Sequence, residues 1–314
     1  MNKIKSILHE QNSGTTNNFF WQITGTELTI PITIIKGRFS GSTLLITAGI
    51  HGSEYPGIEA ARRLLKEIQP EDFAGAIIIL PCVNQRAFFA RTAFINPMDG
   101  KNINRCFPGK ARGSETEKIT YALEKEIFPL ADFYLDFHSG DLPESLEQFV
   151  FIPSFGANSV VQTAYRGANH LKLPFGVVSH SRIGSCTYAC SIGLPALLIE
   201  RGGFGECLPE AIDGFIDDAY QIMAFLEMIE KRTSDKEELP LIRSVHYSYS
   251  PVSGLWHPAL SVGMVVKKDQ FLGSIEDFFG TVLYECFAEQ EGKILYQVGS
   301  LAINQGEHLI AYGH

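Results

Sequence analysis

The chain has 314 residues, 45% hydrophobic and 19% charged, an ordinary balance for a soluble globular protein with room for one large domain and a small one. A formal net charge of −9 leaves no dense basic surface for a nucleic-acid partner, and no apolar run approaches the roughly 20 residues of a membrane span. The opening Met1–Glu10 has two lysines but no apolar stretch behind them, so it does not read as a secretory signal, and the expected location is the cytoplasm.

In chain order, Leu28–Ile35 has strand character, with Pro31 suiting an edge strand. Thr43–Ile50 is a nearly continuous apolar run, read as a strand buried on both faces, and Ile58–Ile68 follows as an amphipathic helix. Ala76–Pro81 is a second buried strand, Glu115–Ile127 a helix, Phe133–Phe137 a third strand and Val160–Leu171 another helix. Pro195–Ile199 is a further buried strand and Ala211–Lys231 a long helix. Short apolar strands alternating with helices predict an α/β domain with a mostly parallel central sheet flanked by helices. Thr233–Pro240 is charged, lacks apolar periodicity and ends in proline, which marks a linker. Beyond it the chain is glycine-rich and β-rich, as in Val262–Val266 and Lys293–Val298. The expected organisation is a catalytic domain over 1–235 and a small all-β domain over 241–314.

The six cysteines, Cys82, Cys106, Cys186, Cys190, Cys207 and Cys286, include no C-x-x-C pair. A zinc ribbon or thioredoxin-type site is therefore not expected, and the cysteines read as free, mostly buried thiols in a reducing compartment.

Ligands of open α/β sheets bind beyond the carboxyl ends of the strands. Three apolar strands here end in chemistry: Thr43–Ile50 in His51-Gly52-Ser53-Glu54, Phe133–Phe137 in His138, and Pro195–Ile199 in Glu200. Two histidines and a carboxylate are a familiar ligand set for one catalytic zinc ion, leaving a position for water. His51, Glu54 and His138 are the candidate ligands, with Gly52 letting the backbone bend so that His51 and Glu54 reach one ion. Glu200 is the candidate general base, passing a proton from zinc-bound water to the leaving nitrogen. Between these residues lies a second cluster, Asn84, Arg86, Arg91 and Asp99–Gly109, whose arginines match the fork geometry of a carboxylate and suggest a pocket wall. There is no G-x-S-x-G elbow, Walker A loop, H-E-x-x-H helix or G-x-G-x-x-G spacing.

Together, His51-Gly-Ser-Glu54, Asp99-Gly-Lys-Asn-Ile-Asn104-Arg105-Cys-Phe-Pro-Gly109, Asp136-Phe-His138 and Glu200 resemble the succinylglutamate desuccinylase/aspartoacylase family, over roughly residues 25 to 230. The resemblance implies a zinc carboxypeptidase-like fold and hydrolysis of a small, anionic N-acyl amino acid to a carboxylate and an amine. It implies that His51, Glu54 and His138 bind zinc, that Glu200 is the general base, that Asn104 and Arg105 hold the substrate carboxylate, and that Arg91 steadies the oxyanion. Arg182 is the nearest match to the family's further substrate-binding arginine, and the spacing from Arg91 to Arg105 is longer than in aspartoacylase itself. Val265–Gly273 resembles a lipoyl- or biotinyl-like half-barrel without a carrier lysine, so that region is expected to be structural. Two other readings stand beside the deacylase: a metallocarboxypeptidase acting on peptides, and a non-catalytic binding protein with the same pocket. A homo-oligomer is left open.

Overall fold

The computed structural model describes residues 3–230 and 238–314. A mixed sheet of nine strands organises most of them. Its strands are β1 (Thr15–Gln22), β2 (Thr29–Lys36), β3 (Phe39–Ala48), β4 (Ala74–Leu80), β5 (Phe133–His138), β7 (Phe149–Pro153), β8 (Gly176–Ser179), β9 (Ala196–Glu200) and β10 (Leu241–Ile242), with β6 (Glu144–Leu146) outside it. Their spatial order is β1-β2-β4-β3-β5-β9-β7-β8-β10.

The expectation of a mostly parallel sheet holds for the centre, where β4, β3, β5 and β9 run together. It fails on either side. β1 and β2 form a hairpin, and β2 is antiparallel to β4. β7 is antiparallel to β9. Parallel return from β5 needs a crossover of a dozen or more residues. The shorter stretch between His138 and Phe149 carries β6 and sends the chain back down the sheet.

Pro31 lies in β2, a strand with neighbours on both sides. Pairing with β4 covers only Thr33–Lys36, so at Pro31 the strand has a single partner, Phe20 of β1. The missing N–H of proline costs no ladder bond on the unpaired side.

Central strands covered on both faces need apolar residues at every position. Ile77, Ile78, Ile79 and Leu80 of β4 and Leu44, Leu45 and Ile46 of β3 are all fully buried. Burying each such side chain is worth about 1.5–3 kcal/mol. That surplus offsets the charged residues that the same sheet buries at its edge.

Seven α-helices are described: α1 (Lys3–Glu10), α2 (Tyr55–Glu67), α3 (Gln85–Ala90), α4 (Glu115–Ala122), α5 (Asn158–Ala168), α6 (Ser185–Ser191) and α7 (Pro209–Phe225). Neighbouring residues of β5 show that helices cover both faces, since successive strand side chains point opposite ways. Phe137 packs against Phe215 of α7, with ring centroids 4.7 Å apart, and against Gly57 of α2. Asp136 turns to the other face, where Ser185 of α6 donates to it.

Residues 233–237 of the expected linker lie outside the described residues. Leu239 is buried, and the Pro240 carbonyl accepts from Gly176 N at 2.8 Å as the chain enters β10. The chain then forms β11 (Val245–Tyr249), β12 (Gly254–Pro258), β13 (Val265–Val266), β14 (Phe271–Glu276), β15 (Val282–Phe287), β16 (Gly292–Val298), β17 (Ala302–Ile303) and β18 (His308–Gly313). These make a sheet ordered β11-β18-β16-β13 and a second ordered β15-β14-β12-β17, around a separate core that includes Trp256, Val266, Ile275, Leu309 and Tyr312. The two parts exchange strands. β10 extends the nine-stranded sheet, while β6 pairs with β16, with Leu146 opposite Tyr296 and Glu144 opposite Val298. No helix among the described residues is long and apolar enough to cross a membrane.

Candidate active site

Parallel pairing brings the ends of β3, β5 and β9 to one edge of the sheet. His138 of β5 sits in register with Glu200 of β9, and Thr47 of β3 with Asp136 of β5. From β3 the chain passes through Gly49, at a φ of +64°, to His51 and then Glu54 at the start of α2. Glu54 holds the N-cap position of α2 without a side-chain capping bond. Its carboxylate turns instead to the histidines. Gly52 is needed for a reason other than the expected bend: a Cβ there would lie 2.2 Å from Phe88 N and 2.5 Å from Ala87 C of α3.

His51, Glu54 and His138 each offer a ligand atom, all within 4.8 Å of one another. Glu54 Oε1 is 2.7 Å from His51 Nδ1, and Glu54 Oε2 is 2.9 Å from His138 Nδ1. Glu54 and His138 are buried.

The far nitrogens of the two rings decide what this cluster can hold. His138 Nε2 is 3.0 Å from Asp136 Oδ2, and a carboxylate only accepts, so Nε2 carries the hydrogen. His51 Nε2 is 3.1 Å from Asn102 Oδ1, which already accepts from Asn104 N at 2.7 Å, so this Nε2 donates too. With the hydrogens fixed outward, both Nδ1 lone pairs converge with the Glu54 carboxylate. Three lone-pair donors aimed at one point call for positive charge. In the metal-free protein that demand falls on protons: burial works against a charged imidazole, yet Glu54 and Asp136 hold His138 well above its usual value. Burial likewise raises Glu54, but His138 and His51 bring it down to about 2. A divalent cation with nitrogen and oxygen ligands fits this donor set, and its binding would displace those protons.

Asp136 supports the cluster from behind. It also accepts from Thr47 Oγ1 at 2.6 Å and from Ser185 Oγ.

Glu200 lines the same cavity, and its Oε2 is buried with no hydrogen-bond partner. Arg201 does not neutralise it, because that guanidinium is forked onto Asp218 of α7 at 2.7 and 3.0 Å. Burial pushes the Glu200 carboxyl well above the usual carboxylate range; His138 opposes this, while Glu54, Glu144 and Asp136 add to it.

Asn104 and Arg105 also line the cavity. Asn104 is buried and its Oδ1 accepts from Ser185 N at 2.8 Å, so its amide orientation is fixed. Arg105 is exposed at the wall and donates to its neighbour's carbonyl, Asn104 O, at 3.0 Å. The other two arginines stand apart. Arg91 ends α3 in the left-handed region, exposed, and is not among the cavity-lining residues. Arg182 is also exposed, with its guanidinium 4.4 Å from the Phe155 ring centroid; its neighbours Ser181 and Ile183 reach the lining and it does not.

The cavity measures about 580 Å³, and one wall was not anticipated from sequence. Tyr247, Tyr249, Tyr296 and His308 come from β11, β16 and β18 and line the cavity that holds His51, Glu54 and His138. Their rings pack together, with Tyr249 and His308 centroids 4.3 Å apart and Tyr247 and His308 5.7 Å apart. Asp141 and Glu144 line it as well. The only sequence signal for this wall was the density of tyrosine and histidine around Val245–Tyr249, which periodicity alone does not connect to His51.

Residues 40–226 match the family model described as the succinylglutamate desuccinylase/aspartoacylase catalytic domain. The N-alpha-acetyl-L-2,4-diaminobutyric acid deacetylase of Halomonas elongata is 29% identical over 291 residues, which cover 88% of this chain and 83% of that one. Among solved structures, a succinylglutamate desuccinylase/aspartoacylase from Rhodobacter sphaeroides superposes with a TM-score of 0.81 at 26% identity, covering 91% of this chain and 90% of that one. The product-bound ectoine utilization protein EutE (DoeB) of Ruegeria pomeroyi shares the fold, with a TM-score of 0.83 at 24% identity, covering 91% and 89% of the two chains.

Proposed function

Because the chain belongs to the succinylglutamate desuccinylase/aspartoacylase family, we propose that it is a zinc-dependent deacylase that hydrolyses a small N-acyl amino acid to a carboxylate and a free amine. The observation that carries this reading is the buried, unpartnered Oε2 of Glu200, in the same cavity as the convergent His51–Glu54–His138 cluster. The name of the Halomonas relative, a deacetylase of an N-acetyl amino acid, supports the reaction class.

His51, Glu54 and His138 would hold the ion. When bound, it supplies Lewis-acid polarisation of the amide carbonyl and makes water a stronger nucleophile. Glu200 takes the proton from the attacking water and returns it to the nitrogen as the C–N bond breaks. Asn104 and Arg105 receive the substrate carboxylate, Arg105 through its two-pronged donor geometry. With Arg91 and Arg182 outside the cavity lining, the assignment rests on these residues. Six unpaired cysteines fit a reducing compartment such as the cytoplasm.

A peptidase would share the chemistry but needs an open cleft. The tyrosine wall from β11 and β16 closes one side of the cavity, which favours small substrates. A non-catalytic binding protein has no need for a carboxylate oxygen, Glu200 Oε2, left buried without a partner. The test is zinc analysis of the purified chain together with rates on N-acetylated and N-succinylated amino acids and on short peptides. Zinc binding and turnover of an N-acyl amino acid are expected. Faster cleavage of peptides would favour the peptidase, and neither zinc nor turnover would leave the binding protein.

A further inference from the structure

The sheet ordered β15-β14-β12-β17 has β15 at one edge, and no strand among the described residues pairs with the outer side of Val282–Phe287. An open edge is a template for another chain, and stable monomers blunt it with lysine, proline or a covering element. β15 reads Val-Leu-Tyr-Glu-Cys-Phe, with no lysine or proline and a single charge, Glu285. The two register shifts of the β14–β15 hairpin fall towards its ends, between Phe271 and Gly273 and between Ile275 and Glu276. They leave Tyr284–Cys286 as regular strand.

Apolar side chains surround this edge. Phe278 and Phe279, in the turn from β14 to β15, are 89% and 94% exposed. At the other end of the hairpin the Phe271 and Phe287 rings lie 5.5 Å apart, and both are exposed. Val282 and Leu283 are exposed along the strand between. The turn does not need its phenylalanine rings to form, because Asp277 Oδ1 fixes it by accepting from Phe279 N at 2.8 Å and Thr281 N at 2.9 Å. Taking about 150–250 Å² for a whole aromatic side chain, these six residues present roughly 600–700 Å² of apolar surface. A soluble monomer typically leaves no patch above about 300–600 Å².

We propose that this edge is the interface of a homodimer, in which β15 of one copy pairs antiparallel with β15 of a second about a two-fold axis. Antiparallel pairing carries the Phe278–Phe279 turn of each copy to the Phe271–Phe287 end of the other, so the two exposed groups cover one another. The apolar area, with the paired backbone added, comes close to the roughly 800 Å² per partner of a standard interface. A pairing centred on Tyr284 sets Leu283 of one copy opposite Glu285 of the other, and the two Glu285 carboxylates do not directly oppose each other. A lipid surface fits less well, since Phe271–Phe287 carries Glu276, Asp277 and Glu285 and no lysine or arginine to meet anionic headgroups. None of these residues lines the cavity of His51, Glu54 and His138, so the dimer stands whether or not the chain is a deacylase.

The experiment is sedimentation equilibrium on the full chain over a range of concentrations. Wild type is expected at twice the 34.8 kDa mass of one chain. Phe278→Ser/Phe279→Ser and, separately, Leu283→Lys should each raise the dissociation constant by about 100-fold or more, because a two-fold axis repeats every lost contact. Circular dichroism matching wild type shows that a monomeric variant is folded. A monomeric wild type overturns the proposal. So does a dimer that both variants leave intact, which puts the interface elsewhere. A monomer that cosediments with phosphatidylcholine vesicles, and stops doing so in Phe278→Ser/Phe279→Ser, overturns it too and makes the turn a lipid anchor. Should Leu283→Lys fail to fold, the turn variant carries the test, since its two side chains are almost wholly exposed.

Discussion

Asp136 grips His138 by the ring nitrogen that points away from Glu54, with Asp136 Oδ2 3.0 Å from Nε2. Two residues apart on one strand, they share a face of the sheet, so strand geometry alone sets the contact. Asp136→Asn removes the charge that fixes this hydrogen. Carboxylate support of a metal-bound histidine is worth about 10–100-fold in affinity or activity. Zinc affinity, measured by competition with a chelator, is expected to fall by that amount. An unchanged affinity would mean that Asp136 serves only Thr47 and Ser185.

Glu200→Gln tests proton transfer separately from metal binding. Zinc content should be retained, and kcat should drop by about 10²–10⁴-fold, the usual worth of general acid–base catalysis. If zinc is lost with the rate, Glu200 is a ligand and the His51–Glu54–His138 set is incomplete.

Arg105→Ala tests carboxylate recognition. A charge-assisted bond predicts a loss of about 10–150-fold in kcat/KM on a free-acid N-acyl amino acid, with a small loss on the matching amide. Arg105→Lys is expected to recover only part, because a point charge cannot reproduce the fork. Equal losses on acid and amide would reduce Arg105 to a loop support.

Gly52→Ala tests the packing behind the ligands. The added Cβ would meet backbone atoms of Ala87 and Phe88, which cannot rotate away. Overpacking of this kind typically costs about 1–3 kcal/mol. The denaturant midpoint should drop accordingly, with zinc affinity falling as His51 and Glu54 shift. Wild-type stability in this variant would show that α3 is free to retreat from the His51 loop.

Much of the site could be read from sequence because the sheet is buried on both faces. Such strands are continuous apolar runs, and the residues where each run stops, His51, His138 and Glu200, are the ones delivered to the sheet edge. Parallel register then brings them together without any information beyond strand direction. Less was legible where geometry departs from a local pattern. Helix α2 begins at Tyr55 rather than Ile58, with Pro56 in its first turn, where its missing N–H costs no helical bond. The predicted helix from Glu115 to Ile127 is α-helical only to Ala122 and widens into a π-turn over Leu123–Ile127. β7 and β8 are short, and nothing in their periodicity marks their direction. Arg91 and Arg182 were assigned by resemblance, and no local rule reports whether an arginine on a loop turns inward. The tyrosine wall was invisible because it depends on β6 crossing to β16, a pairing between segments about 150 residues apart.

That strand exchange also sets when the site comes into being. During synthesis, β3, β5 and β9 leave the ribosome first, and with them every candidate metal ligand. His308 on β18 emerges much later, and β16 must pair with β6 before Tyr296 reaches the cavity. The residues of the His51–Glu54–His138 group are thus all synthesised before the wall that faces them, and that wall is complete only when the last sheet has formed.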